Sequence, residues 1–254
     1  MTDRLVRRAR AGSWSIRVDE IGTGATTYVL LHGYGVTPRY LRPTATILAE
    51  TGRVLMPTMP GWRGSDRPRP ALDVNQLADA LIDWIRSEQL PPVVLVANSF
   101  GCQVAAALAV RAPELVHSMV LTGPTVEPGA RSFHRMIARL FVNTVREPIR
   151  LGGIIALDYG SFGPRNCVAM GRIAIHHHLE DVLPHVGVPT LVVRGARDGL
   201  LTRAWAERCA AVTPDGQFAE IDGGSHAVNY NSPSALAALV QDFERQLVPA
   251  PLHA

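Results

Sequence analysis

The chain has 254 residues, 47% of them hydrophobic and 19% charged, enough to bury a substantial core as an ordinary globular protein. Its formal net charge of +3 is too small to argue for nucleic acid or a membrane surface as partner. All 25 basic residues are arginine, so a lysine Schiff base, covalently held pyridoxal phosphate and a P-loop lysine are excluded.

Cys102, Cys167 and Cys209 are odd in number and far apart, which fits neither a disulfide framework nor a zinc site. The first 15 residues, MTDRLVRRARAGSWS, carry four arginines with no apolar stretch after them, unlike a signal peptide. No run of 18 apolar residues occurs, so no spanning helix is expected. The expected location is cytoplasmic.

In chain order, GSWSIRVDE (12–20) alternates like an antiparallel strand, and TTYVLLH (26–32) and RVLMP (53–57) read as buried strands. DVNQLADALIDWIRSEQ (73–89) is amphipathic at helical spacing, with Leu77, Leu81, Trp84 and Ile85 on one face and Asp73 at its start. PVVLVAN (92–98) is a buried strand, followed by a helical pattern over 100–111. SMVLTGP (118–124) and TLVVRG (190–195) are further strands. TRAWAERCAA reads as a helix, QFAEID as a strand and SPSALAALVQDFERQL as a last helix, with Ser232 as its cap and Pro233 at its first position.

This alternation predicts an α/β fold, a mostly parallel central sheet with helices on both faces. It breaks between 129 and 187, where SFHRMIARLFVNTV, EPIRLGGIIALDY and PRNCVAMGRIAIHHHLEDVL are all helical in pattern. Such a stretch is too long for a plain connection. The expected organisation is a core of residues 1–128 and 188–254, with 129–187 inserted as a small helical cap.

VVLVANSFGCQVAAALA places Ser99 between a buried strand and a helix. Ala97-Asn98-Ser99-Phe100-Gly101 approximates G-x-S-x-G, whose flanking positions must be small because the turn is tight and the serine backbone strained. The plainer alternative is a helix N-cap serine.

Here the sequence resembles the α/β-hydrolase family, from about residue 12 to 247. Leu31-His32-Gly33-Tyr34-Gly35 looks like its HG-x loop, and Met59-Pro60-Gly61-Trp62-Arg63-Gly64-Ser65-Asp66 is similar to its PGxGxS turn. The elbow is the third motif, and Asp198 followed by Gly224-Ser225-His226 is the fourth. The resemblance implies an α/β-hydrolase fold with Ser99 as nucleophile, His226 as general base and Asp198 as the acid orienting it. It also puts backbone oxyanion donors at Phe100 and Tyr34. Asp198 reads alternatively as a helix cap, and Asp222 is the rival acid. The other acid position used in the family, after the strand before the insertion, reads Thr122-Gly123-Pro124-Thr125, with no carboxylate until Glu127.

Candidate pocket residues are His32, Asn98, Met136, Phe141, His177 and Ala227. Met136, Phe141 and Met170 either line a pocket or pack the insertion. His176-His177-His178 invites a metal reading, but consecutive residues on a helix point about 100° apart, so no metal site is expected. Arg131, Arg135, Arg139 and Arg146 read as a solvated helix face, and Cys102 as packing.

The expected activity is cofactor-free hydrolysis of a small ester, thioester or lactone, the partner being a small carbonyl substrate. The alternatives are a carbon–carbon bond hydrolase, a lyase or cyclase reusing the triad, and a non-enzymatic binding protein. Asn98-Ser99 resembles the Asn-Ser step of ring-cleavage-product hydrolases in this fold. Ala227 departs from the His-Trp pattern of that group. The sequence sets no oligomeric state.

Overall fold

A computed structural model describes residues 4–132, 134–135, 138–140, 143 and 147–247. Its eight-stranded sheet runs in the order β1-β2-β4-β3-β5-β6-β7-β8. The strands are β1 (Leu5–Ala11), β2 (Trp14–Ile21), β3 (Thr26–Leu31), β4 (Gly52–Thr58), β5 (Val93–Asn98), β6 (Val116–Thr122), β7 (Thr190–Gly195) and β8 (Gly216–Ile221). β2 pairs antiparallel with both β1 and β4, and every other pairing is parallel.

The parallel strands read as continuous apolar runs because both faces are covered. Val29, Leu31, Leu95 and Ala97 join one apolar core, whereas Tyr28, Leu30, Val94 and Val96 join the other. This is the period-two alternation of a strand. On the first face lie α2 (Val74–Ser87) and α3 (Phe100–Arg111), and on the second α1 (Arg42–Leu48). α2 begins at Asp73 with a reciprocal capping box. The Asp73 carboxylate accepts from Gln76 N at 2.8 Å and the Gln76 side chain from Asp73 N at 3.0 Å, satisfying two otherwise orphaned donors.

β1 and α1 go beyond the sequence expectation. β1 turns into β2 through Gly12, whose φ of +59° favours glycine. Its arginines find partners: Arg7 donates to both Glu88 oxygens at 2.6 and 2.7 Å and to Glu20 at 3.3 Å.

Between β6 and β7 the described elements are helical: α4 (Ile149–Phe162), α5 (Pro164–His176) and α6 (Leu179–Val182), with short 3₁₀ turns at 128–130 and 183–185. The chain then continues through β7, α7 (Arg203–Val212), β8, α8 (Val228–Asn231) and α9 (Pro233–Leu247). α9 packs on the same face as α1. No helix among the described residues is long and apolar enough to cross a membrane.

Of the expected arginine face, Arg135 is exposed as read, but Arg131 and Arg139 are half-buried and paired. Arg131 pairs with Glu180 in a partly buried contact, and Arg139 donates to Glu127 at 2.5 Å and to the Leu200 carbonyl at 2.8 Å. Helical spacing reveals a polar stripe but not what packs against it. Arg146 lies outside the described residues. The histidine run is not one helix either. His176 ends α5, and His177 and His178 form the turn into α6.

Candidate active site

The site is assembled from the C-terminal ends of the central strands, where open α/β sheets form their ligand crevices. β5 ends at Asn98, and Ser99 follows with φ 58° and ψ −121° before α3 begins at Phe100. That conformation is strained for any residue with a Cβ. Its neighbours keep it in place by close packing. A Cβ on Gly101 would sit 2.8 Å from the carbonyl oxygens of Leu31 and His32, and one on Gly33 would sit 3.2 Å from the Ser99 Cβ.

His226 and Asp198 arrive from the ends of β8 and β7. His226 Nδ1 lies 2.8 Å from Asp198 Oδ2. The other carboxylate oxygen accepts from the Leu200 amide at 2.7 Å and weakly from Leu201 at 3.4 Å. With a carboxylate at Nδ1, that nitrogen holds the proton, and Nε2 carries the lone pair. Nε2 is buried without a hydrogen-bond partner. Burial lowers the imidazole pKa, but the Asp198 charge and hydrogen bond, aided by the Glu147 charge, outweigh it and hold the group above its ordinary value. The rival Asp222 is exposed.

Ser99, His226, Tyr34, Phe100, Asn98 and Ala227 line one cavity of about 110 Å³. Ser99 Oγ has a hydroxyl neighbour there, Thr125 Oγ1 at 3.5 Å. The Gly33 amide is occupied by the Tyr40 hydroxyl at 2.8 Å, which leaves Tyr34 as the next amide of that loop. The Phe100 amide is the first of α3 and has no intrahelical acceptor. Two tyrosines tie the loop to the helices between β6 and β7: Tyr34 donates to the Cys167 carbonyl at 2.6 Å, and Tyr159 donates to the Tyr34 carbonyl at 3.2 Å. Gly35, at φ +70°, leaves the space that the Tyr159 ring fills.

Asn98 acts as a tether. Its amide nitrogen donates to the Thr122 carbonyl, the Thr122 hydroxyl and the His226 carbonyl at 3.1, 3.1 and 3.2 Å, and its oxygen accepts from Tyr40 at 2.9 Å. It joins the ends of β5 and β6 to the histidine loop.

Two pocket expectations fall elsewhere. His32 is buried outside the cavity lining, accepting from Met59 N through Nε2 at 3.0 Å with Nδ1 3.0 Å from the Gly33 carbonyl. Burial pulls its pKa down to about 4, so it is a neutral latch between the loops after β3 and β4. His177 also lies outside the lining, with burial as the leading cause of its lowered pKa. Met136 and Phe141 lie outside the described residues, while Met170 is packed in the core. Cys102 is fully buried, its thiol contacting the carbonyls of Ala97 and Thr122. Among the described residues, no group of three or more His, Cys, Asp or Glu side chains could hold a metal ion.

The sequence reading missed Thr125, Glu127, Arg139 and Glu147 as cavity residues. The strand-end rule alone points to Thr125, three residues past β6. It missed Gly123 too. A Cβ there, at φ +58°, would lie 2.9 Å from His226 Nδ1 and Cε1 and 3.3 Å from Asp198 Oδ2. Gly123→Ala is therefore expected to push the imidazole off its carboxylate and lower kcat/KM on the order of 10²-fold. Gly129→Ala, where the added methyl meets nothing within 4 Å, serves as the control in the same ester assay.

A family model described as the alpha/beta hydrolase family matches residues 28–239. The chain belongs to that family, and it is an enzyme of the hydrolase class. It is 24% identical to a 2-(acetamidomethylene)succinate hydrolase of Mesorhizobium japonicum, over 94% of this chain and 95% of the relative. It is 28% identical to a pimeloyl-[acyl-carrier protein] methyl ester esterase of Aromatoleum aromaticum, over 85% of this chain and 97% of the relative. The crystal structure of an enol-lactonase from Burkholderia xenovorans superposes with a TM-score of 0.79 at 19% identity, covering 94% of this chain and all of that one. This last likeness is one of fold.

Proposed function

We propose that the enzyme is a serine hydrolase acting through an acyl-enzyme on a small, uncharged ester, thioester or lactone. The observation that carries this reading is the Asp198–His226 hydrogen bond of 2.8 Å, with the unpartnered Nε2 in the same cavity as the strained Ser99.

Ser99 Oγ attacks the carbonyl carbon as its proton passes to His226 Nε2. The imidazolium so formed is stabilised by Asp198. The oxyanion is received by the amides of Tyr34 and Phe100, the latter at the positive end of α3. Collapse expels the alcohol or thiol, which takes the proton from His226. Water, deprotonated by the same nitrogen, then releases the acid and regenerates Ser99. Atoms and charge balance without a cofactor. The helices of 129–187 act in this reading as a cap, since Leu151, Ile155, Tyr159 and Ala174 line the cavity.

The wall chemistry supports an uncharged substrate. Arg139 is the cation among the described lining residues, and Glu127 neutralises it at 2.5 Å. Glu147 adds a further carboxylate to the lining. A carboxylate on the substrate would meet repulsion and lose its hydration without compensation. The cavity is comparable in size to one of about 150 Å³ that holds benzene, which suits a short acyl group. The carbon–carbon hydrolase reading stays the alternative: Asn98 makes its four hydrogen bonds in either case, so the Asn98-Ser99 step does not separate the two.

The test is turnover in ¹⁸O-water of a neutral short-chain ester beside the half-ester of a dicarboxylic acid of equal length. The neutral ester is expected to turn over faster, with solvent oxygen in the released acid. Product formed at a competent rate without solvent oxygen would overturn hydrolysis, and preference for the half-ester would overturn the substrate class.

A further inference from the structure

Glu147 lies in the insertion just before α4, and its carboxylate is buried in the wall of the active-site cavity. One oxygen accepts from the Ala227 amide at 3.0 Å and from Asn143 at 3.2 Å. The other accepts from the Ser225 hydroxyl at 2.7 Å and from Asn231 at 3.0 Å. A buried carboxylate is costly without such donors. Ser225 and Ala227 are the two residues flanking His226, so this one carboxylate grips the chain on both sides of the histidine. Asn231 also bonds the Ser225 hydroxyl, closing the network.

We propose that Glu147 is a positioning residue for the general base, a clamp through which the insertion holds the His226 loop in register with Ser99 and keeps negative charge beside the imidazole. The proposal rests on the serine-hydrolase reading above. It makes the insertion part of the base's support as well as a cover for the substrate. With Asn98 on the His226 carbonyl and Asp198 on Nδ1, the clamp completes a three-sided hold.

The charged groups around His226 come from three directions. Asp198 arrives from the end of β7, with Arg194 donating to its main-chain carbonyl at 3.2 Å and pairing with Glu220 at 2.7 Å. Glu147 arrives from the insertion. The Glu127–Arg139 pair lies in the cavity wall. Of these, Asp198 and Glu147 bear on the imidazole, and both raise its pKa.

The experiment compares the wild type with Glu147→Gln and Glu147→Asp, reading the pH profile of kcat/KM on a neutral ester and the NMR titration of the His226 Cε1 proton. Nε2 must be unprotonated to act as base, so activity falls as pH drops through the His226 pKa. Removing the Glu147 charge lowers that pKa. In Glu147→Gln both the acid limb and the NMR titration are therefore expected to move to lower pH. Glu147→Asp keeps the charge and should restore the limb toward its wild-type position. A folded Glu147→Gln protein with an unmoved limb and titration would overturn the charge part of the proposal.

Ser225→Ala tests the clamp by removing one of its hydrogen bonds while keeping the Glu147 carboxylate. It should lower kcat roughly 3- to 10-fold with KM and the acid limb unchanged. A wild-type kcat would overturn the clamp, whether or not the Glu147 variants fold. These failures are separate from failure of the underlying reading, which would appear as undiminished ester turnover by Ser99→Ala.

Discussion

Ser99→Ala is expected to lower kcat on a short neutral ester on the order of 10³-fold or more, about 4 kcal/mol or more of transition-state stabilisation. The hydroxyl's hydrogen-bond partner is Thr125 Oγ1 at 3.5 Å, a weak contact, so its removal leaves no strongly bonded group without a partner. Alanine inherits the same strained backbone that glycine packing at 33 and 101 imposes. The thermal midpoint should therefore stay near the wild type while turnover collapses. What remains would come from the amides and the cavity, which still bind the substrate. A serine-directed phosphonate should add one covalent equivalent to the wild type and none at this position in the variant. A folded Ser99→Ala protein with near-normal kcat would remove the nucleophile from the mechanism and the acyl-enzyme with it.

That serine was legible because its demands are local. A buried strand, small flanking residues and a helix start within a few positions of Ser99, and the two-sided burial of β3, β5 and β7 writes itself as continuous apolar runs. α2 was equally plain, with an apolar stripe and Asp73 at its start. β1 was hidden for the opposite reason. Leu5–Ala11 lies at the edge of the sheet, and arginines such as Arg7 gain partners at Glu20 and Glu88 that no local pattern reveals. α1 begins Arg42-Pro43-Thr44, with little helical preference, and burial of Thr44, Ala45 and Leu48 supports it.

The stretch between β6 and β7 was legible as helical but not in its chemistry. Glu147 precedes Pro148 and reads as the start of a helix, yet three of its four partners lie 78 to 84 positions away at Ser225, Ala227 and Asn231. Arg139 is spaced like a solvent-facing residue and instead pairs with Glu127 in the cavity wall. Periodicity reports which side of an element is polar. It does not report which polar groups are brought together, and the cavity's charge balance depends on that.

Asp198→Asn is expected to lower kcat/KM by roughly 10²- to 10⁴-fold, and Asp222→Asn to change it little. The loss follows from how the carboxylate is held. Oδ1 accepts from the Leu200 amide at 2.7 Å, and Oδ2 faces His226 Nδ1 at 2.8 Å. An asparagine that keeps its oxygen on the Leu200 amide must present NH₂ to Nδ1. The imidazole then accepts at Nδ1 and carries its proton on Nε2, the wrong tautomer to deprotonate Ser99. Turned the other way, the amide sets its NH₂ against a backbone donor and leaves that partly buried N–H without its partner, which also costs stability. Either orientation removes the Asp198 charge that helps hold the His226 pKa up, so the residual activity should keep its acid limb at lower pH than the wild type. Asp222 is exposed, and its neutralisation should alter neither tautomer nor limb. Measuring kcat/KM against pH for both variants separates the two acids. A larger loss from Asp222→Asn, or an unmoved limb in Asp198→Asn, would take the orienting role from Asp198.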